Sequence, residues 1–151
     1  SEEQQALIHA RWGQRIDDLS IRLVASQTQS VLLDADLAIT ASGTVTLEAF
    51  LLGCPQVVFY RLAASTHWLA TRLNLVKSQW VSLPNILTQS DCVPEKIQQA
   101  ANPEELAQSA LAWLDDPTRT ATYRATAKFW RAKLYAGDKA AQTISSWINQ
   151  S

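Results

Sequence analysis

Glycine, cysteine, histidine and basic runs are all scarce in this sequence, and each shortage removes a class of function. Four glycines in 151 residues leave no Walker loop and no GxGxxG fingerprint. The two cysteines, Cys54 and Cys92, lie far apart with no CxxC pair, and the two histidines, His9 and His67, do not cluster. Metal ligation needs grouped donors, so no metal site is expected and the thiols read as reduced and packed. Neither histidine belongs to an acid–nucleophile set at informative spacing, so a hydrolase triad has no basis. Lysine and arginine number 13 against 14 acids, for a net charge of −1 with no basic run, so a nucleic-acid footprint is missing. No apolar stretch approaches the roughly 20 residues of a membrane span, and the polar start lacks the pattern of a signal peptide. A cytoplasmic protein is expected, within reach of a membrane surface. Methionine is absent altogether, and its absence at position 1 points to a piece of a longer chain or a processed product.

What remains is an ordinary globular composition, 47% hydrophobic and 18% charged, with six tryptophans. The length suits one domain with a real core. Spacing predicts a helix over 3–11 that stops near Gly13, a strand over 21–25 and a short helix over 26–34. The apolar run 37–41 is what a buried parallel strand needs. A helix follows and ends at Gly53, which suits the left-handed C′ position. Pro55 blocks continuation, and 56–60 is the next strand. A helix over 65–74 and a strand over 79–83 continue the alternation, the pattern of a parallel sheet covered on both faces. After residue 94 strands are expected to stop. Asn102-Pro103-Glu104-Glu105 reads as cap, Pro at N1 and acids at the positive helix end. Tyr123, Ala127, Trp130 and Leu134 recur at helical spacing, and Ala141, Ile144 and Ile148 do so after Gly137. The tail therefore reads as three helices.

The informative segment is Ala38-Ile39-Thr40-Ala41-Ser42-Gly43-Thr44-Val45-Thr46-Leu47-Glu48. A buried strand enters a helix through a Ser-Gly-Thr turn. The first helix amides have no internal partners, and the helix dipole adds about half a positive charge there. Gly43 lets a ligand approach the backbone while Ser42 and Thr44 offer hydroxyls, so a phosphate or diphosphate fits. The turn also suits a plain helix cap. Glu48, four residues after Thr44, shares its face of the helix. Its neighbours are almost all apolar, and a lone acid among them calls for a partner or ligand, such as ribose hydroxyls, unless it faces solvent. Asp34-Ala35-Asp36 matches a DxD pattern, but its acids fall at a helix end and a strand start, at the wrong end of the sheet for a metal.

The run 36–48, followed by Gly53-Cys54-Pro55-Gln56-Val57-Val58-Phe59-Tyr60-Arg61, resembles the lipid-A-disaccharide synthase family. So do Trp68-Leu69-Ala70, Val81-Ser82-Leu83-Pro84-Asn85-Ile86-Leu87 and Val93-Pro94-Glu95. The similarity runs in unbroken order over residues 20–114. The first loop alone also suits other GT-B transferases; the Ser-Leu-Pro-Asn pattern with Tyr60-Arg61 upstream is more specific. In the family, Ser-Leu-Pro-Asn, an isoleucine or leucine and a leucine are usually followed by a small residue, glycine and a basic residue. Here Thr88-Gln89-Ser90-Asp91 stands there, and a cation is lost.

The resemblance implies an α/β fold with a Rossmann-like parallel sheet of about four strands, part of a GT-B donor domain, followed by three carboxyl-terminal helices. Residues 1–94 would be the nucleotide-sugar-binding part and 95–151 the helical tail of a single partial domain. The amino-terminal acceptor domain, with the catalytic base and a Gly-rich loop, would lie outside this sequence, leaving no catalytic residue within it. The implied enzyme transfers 2,3-diacylglucosamine from UDP to 2,3-diacylglucosamine 1-phosphate. No cofactor and no metal are implied. Ser42, Gly43 and Thr44 would cradle the diphosphate and Glu48 the ribose, with Tyr60, Arg61 and Asn85 beside them. The implied partners are UDP-diacylglucosamine, the acyl-sugar phosphate and the inner membrane as a peripheral contact; the apolar Trp68, Leu69 and Leu73 with basic Arg72 and Lys77 suit such a contact, or plain packing on the sheet. Without the acceptor domain, Trp130, Leu134, Ile144 and Trp147 would need cover by self-association, by helix exchange hinged at 115–117 or Gly137, or by folding back on the sheet. Two other readings fit the same residues: a nucleotide-binding relative without activity, and another UDP-sugar GT-B transferase or epimerase.

Overall fold

A computed structural model describes residues 2–61 and 79–148, with 138–148 as backbone. The chain forms two compact units, residues 1–34 and 35–151.

The first unit holds helix α1 (Glu2–Asp18) and helix α2 (Thr28–Asp34). Helix α1 does not stop at Gly13. One interior glycine costs only about 1 kcal/mol against alanine, and good helix formers surround it. The strand expected over 21–25 is irregular, with Ser20 and Ser26 at φ 54° and 59° on either side. Alternation over five residues makes a strand only where another strand pairs with it.

The second unit is built on a parallel sheet in the order β1-β2-β3: Ala38–Ala41, Gln56–Tyr60 and Glu95–Ile97. Ala41 pairs with Phe59, and Tyr60 with Ile97, so the carboxyl ends of all three strands share one edge. Helix α3 (Thr44–Leu52) connects β1 to β2 and is closed by Gly53 at φ 77°, ψ 18°. Its C-cap amide returns to the carbonyls of Ala49 and Phe50. Helix α4 (Leu83–Thr88) replaces the strand expected over 79–83: Ser82 is its N-cap and Pro84 lies in its first turn. Strand β3 is the one the sequence reading ended too early to include. Thus the parallel sheet has three strands among the described residues, not four. The expected helix over 65–74, with Trp68, Leu69 and Leu73, lies outside the described residues.

Among the described residues the tail holds two α-helices rather than three, after a short 3-10 turn at Gln98–Ala100. Helix α5 (Pro103–Leu114) starts where Asn102 accepts from the Glu105 amide at 2.9 Å. Helix α6 runs unbroken through Gly137, from Pro117 to Ile148. Both fold back on the sheet. Trp113, Tyr123 and Ala127 join Phe50, Val58 and Val93 in the core, and Trp130 packs against it. The Tyr123 ring meets Phe50 and Trp113 edge-on at 5.5 and 5.4 Å between centroids, contacts each contributing about 0.5–1.5 kcal/mol beyond burial. Leu134 is exposed, as are Phe129 and Tyr135.

Candidate functional site

Three pieces of chain meet near the carboxyl edge of the sheet: the β1–α3 turn, the 81–85 segment and the start of β3. The backbone leaves β1 with the Ser42 amide donating to Phe59 at 2.9 Å, one step beyond the ladder. The Ser42 hydroxyl donates to the Val81 carbonyl at 2.7 Å. Both donors of Ser42 are thereby engaged in shaping the turn. Gly43 is the N-cap of α3, makes no side-chain cap bond, and has open space where a Cβ would project. Its carbonyl accepts from the amide and hydroxyl of Thr46, at 3.1 and 2.7 Å, which starts the helix. Thr44 is exposed beside it. The first amides of such a helix have no partner within it, and general helix physics favours anions at that end.

Glu48 lies one helical turn beyond Thr44 and is exposed like it, so the two carry one accessible stripe of α3. Helix α3 is therefore not apolar all round. The buried face falls to Thr46, Ala49 and Phe50. Tyr60 closes β2 half-buried, and Arg61 follows it exposed. The structure thus brings Ser42, Gly43, Thr44, Tyr60 and Arg61 to one sheet edge, with Glu48 on the helix above it.

Asn85 has a different setting. It is 1% exposed. Its Nδ2 donates to the Val93 carbonyl and to Glu95, each at 2.9 Å, and its Oδ1 accepts from the Val93 amide at 2.9 Å. Its amide thereby clamps the approach to β3.

Glu95 is the residue sequence reasoning passed over. Its Oε2 accepts from the Val81 amide at 2.9 Å. Its Oε1 accepts from the Ser82 amide and hydroxyl at 2.9 and 2.6 Å, and from Asn85. The available signal was that Ser82, Asn85 and Glu95 all stand in the patterns that carry the resemblance. Gln56, fully buried, was missed as well. It accepts from Thr40 at 3.0 Å and donates to the Thr46 carbonyl and Tyr123 hydroxyl at 2.8 and 3.2 Å. Neither cysteine is disulfide-bonded. Burial pushes both thiols up, opposed at Cys54 by Arg124 and at Cys92 by a hydrogen bond with Thr88, so they are poor nucleophiles. Among the described residues no cluster of three or more His, Cys, Asp or Glu is gathered for a metal, and no helix is long and apolar enough to cross a membrane.

A parallel sheet with a helix start at its carboxyl edge is a Rossmann-like α/β arrangement. The lipid-A-disaccharide synthetase family model matches residues 1–144. Lipid-A-disaccharide synthase of Chromohalobacter salexigens is 38% identical over 130 residues, covering 85% of this chain and 33% of that protein. The synthase of Pseudomonas savastanoi pv. phaseolicola is 42% identical over 135 residues, or 89% of this chain and 34% of its own. That of Pectobacterium carotovorum is 43% identical over 109 residues, or 72% and 28%. The chain belongs to the lipid-A-disaccharide synthase family, and it spans about a third of the length of these relatives.

Proposed function

We propose that this chain supplies the nucleotide-sugar-binding part of a lipid-A-disaccharide synthase. The observation that carries this reading is the uncapped start of α3 at the sheet edge, with Thr44 and Glu48 on one exposed stripe, in a chain of this family. Transfer of 2,3-diacylglucosamine from UDP to 2,3-diacylglucosamine 1-phosphate breaks the anomeric C–O bond and leaves negative charge on the departing diphosphate. The first amides of α3 and the positive end of its dipole stabilise that charge as it develops, without a metal. Thr44 donates its hydroxyl to a phosphate oxygen, and Glu48 accepts from the ribose hydroxyls. Arg61 offsets the remaining charge, with Tyr60 beside it. Ser42 and Asn85 hold the surrounding loops in shape. The acceptor sugar and the base that deprotonates it belong to a part of the enzyme beyond these residues.

The acylated substrates bring the enzyme to the inner face of the cytoplasmic membrane as a peripheral protein. Exposed Phe129, Leu134 and Tyr135 on α6 support a further contact, either with another part of the enzyme or with a second copy. The names of the relatives favour this reading over a binding protein without activity and over an epimerase. The test is an assay of the full-length protein with the acylated UDP donor and the acyl-sugar 1-phosphate. Disaccharide and UDP are expected in equal amounts, and release of UDP without disaccharide would overturn the reading.

A further inference from the structure

The Ser42 hydroxyl and the Glu95 carboxylate grip the same peptide unit from opposite sides. The Val81 carbonyl accepts from Ser42 at 2.7 Å, and the Ser82 amide, the other end of that unit, donates to Glu95 at 2.9 Å. Among the described residues no peptide bond is cis. A trans peptide is planar and stiff, so fixing its N–H fixes the direction of its C=O. The second carboxylate oxygen takes the Val81 amide, which removes the remaining freedom of that residue.

Among the described residues, four uncharged donors are aimed at Glu95: the Val81 and Ser82 amides, the Ser82 hydroxyl and the Asn85 amide. Such a set requires an acceptor at both oxygens, which an ionised carboxylate provides and a side-chain amide does not. Bonds of this kind to a charged acceptor are about twice as strong as neutral ones. A carboxylate held this way is an expensive means of fixing a loop, and the loop it fixes is the support of the Ser42-Gly43-Thr44 turn. We infer that Glu95 is a positioning residue for the nucleotide donor, acting through the rigid 81–82 peptide on Ser42 and so on the turn. This rests on the proposal that the start of α3, with Thr44, holds the donor diphosphate.

The test is a double-mutant cycle in the full-length protein, with Glu95→Gln, Ser42→Ala and the pair, each titrated with UDP. In Glu95→Gln one donor must face another, at Val81 or at Ser82. Each single variant is expected to bind UDP about tenfold more weakly. If both act through one peptide, the pair is expected to be little weaker than either single, not about a hundredfold down as independence requires. The KM for the donor should rise in step, while the KM for the acceptor stays put. Should Glu95→Gln fail to fold, Ser82→Ala replaces it in the same cycle with the same expectation. Additive losses, or variants at 95 and 82 that leave UDP affinity unchanged, overturn the inference while the proposed function stands. A wild-type protein that binds no UDP overturns both.

Discussion

Gln56 and Glu95 stand on neighbouring strands, and each gathers hydrogen bonds from distant parts of the chain, yet they hold different things. Gln56 is fully buried at the start of β2 and joins Thr40 of β1, Thr46 of α3 and Tyr123 of α6. Tyr123 in turn donates to the Cys54 carbonyl at 2.9 Å. Every member of that network lies in a regular element or the turn joining two, so its loss falls on stability. Glu95 is only half-buried, and its donors lie in the segment from Val81 to Asn85, which meets the 42–44 turn through the Ser42 hydroxyl. Its loss falls on geometry at the sheet edge. Buried amides in a core and carboxylates under a loop do similar chemistry to different ends.

The sharpest way to break this contrast is Gln56→Ala. It empties a fully buried site and removes the Gln56 amide that accepts from the Thr40 hydroxyl and donates to the Thr46 carbonyl and the Tyr123 hydroxyl. A loss of about 3–5 kcal/mol is expected in denaturant unfolding. UDP affinity of the protein that remains folded should change little.

Tyr123→Phe removes one hydroxyl from the same network and should cost about 1–2 kcal/mol. It also carries a pH signature. Burial pushes the Tyr123 phenol well above its ordinary value of 10.0, partly countered by its bond with Gln56. A group whose folded pKa is raised contributes its stability below the unfolded pKa and loses it as pH rises. The stability gap between wild type and Tyr123→Phe should therefore be constant at neutral pH and narrow above about pH 10. Unfolding curves at pH 8 and pH 10.5 check it, and a gap that widens contradicts the assignment.

The smallest effect is expected at Gln89, the C-cap of α4, which sits at φ 51°, ψ 40°. A side chain there costs roughly 1–2 kcal/mol relative to glycine, less what glycine loses in chain entropy. Gln89→Gly should raise stability by about 0.5–1 kcal/mol in thermal unfolding. The backbone at this position takes the left-handed conformation whatever residue supplies it.

Much of the fold was legible because its signals were local. Gly53 as the left-handed cap, Asn102 with Pro103 as a helix start, and the apolar strands β1 and β2 each follow from a few residues. The errors arose where local pattern yielded to context. The apolar pattern over 79–83 suggests a strand, but Ser82 as cap and Pro84 in the first turn start a helix there. Strand β3 is three residues long and two of them, Glu95 and Lys96, are charged, so only its pairing with β2 reveals it. Gly137 looked like a break but lies inside a long helix of good formers. At the site, the turn 42–44 and the shared face of Thr44 and Glu48 could be read from spacing. The Glu95 clamp could not, because its partners stand 10 to 14 residues away and meet it only through the fold.

The central claim is that the start of α3 and Glu48 form the nucleotide site, and calorimetric titration of UDP into the full-length protein and its Glu48→Ala variant tests it most directly. Losing a charge-assisted bond to the ribose is expected to weaken binding by about 1.5–3 kcal/mol, roughly tenfold to a hundredfold, with unfolding unchanged because the side chain is exposed. Equal UDP affinities for the two proteins would contradict the account.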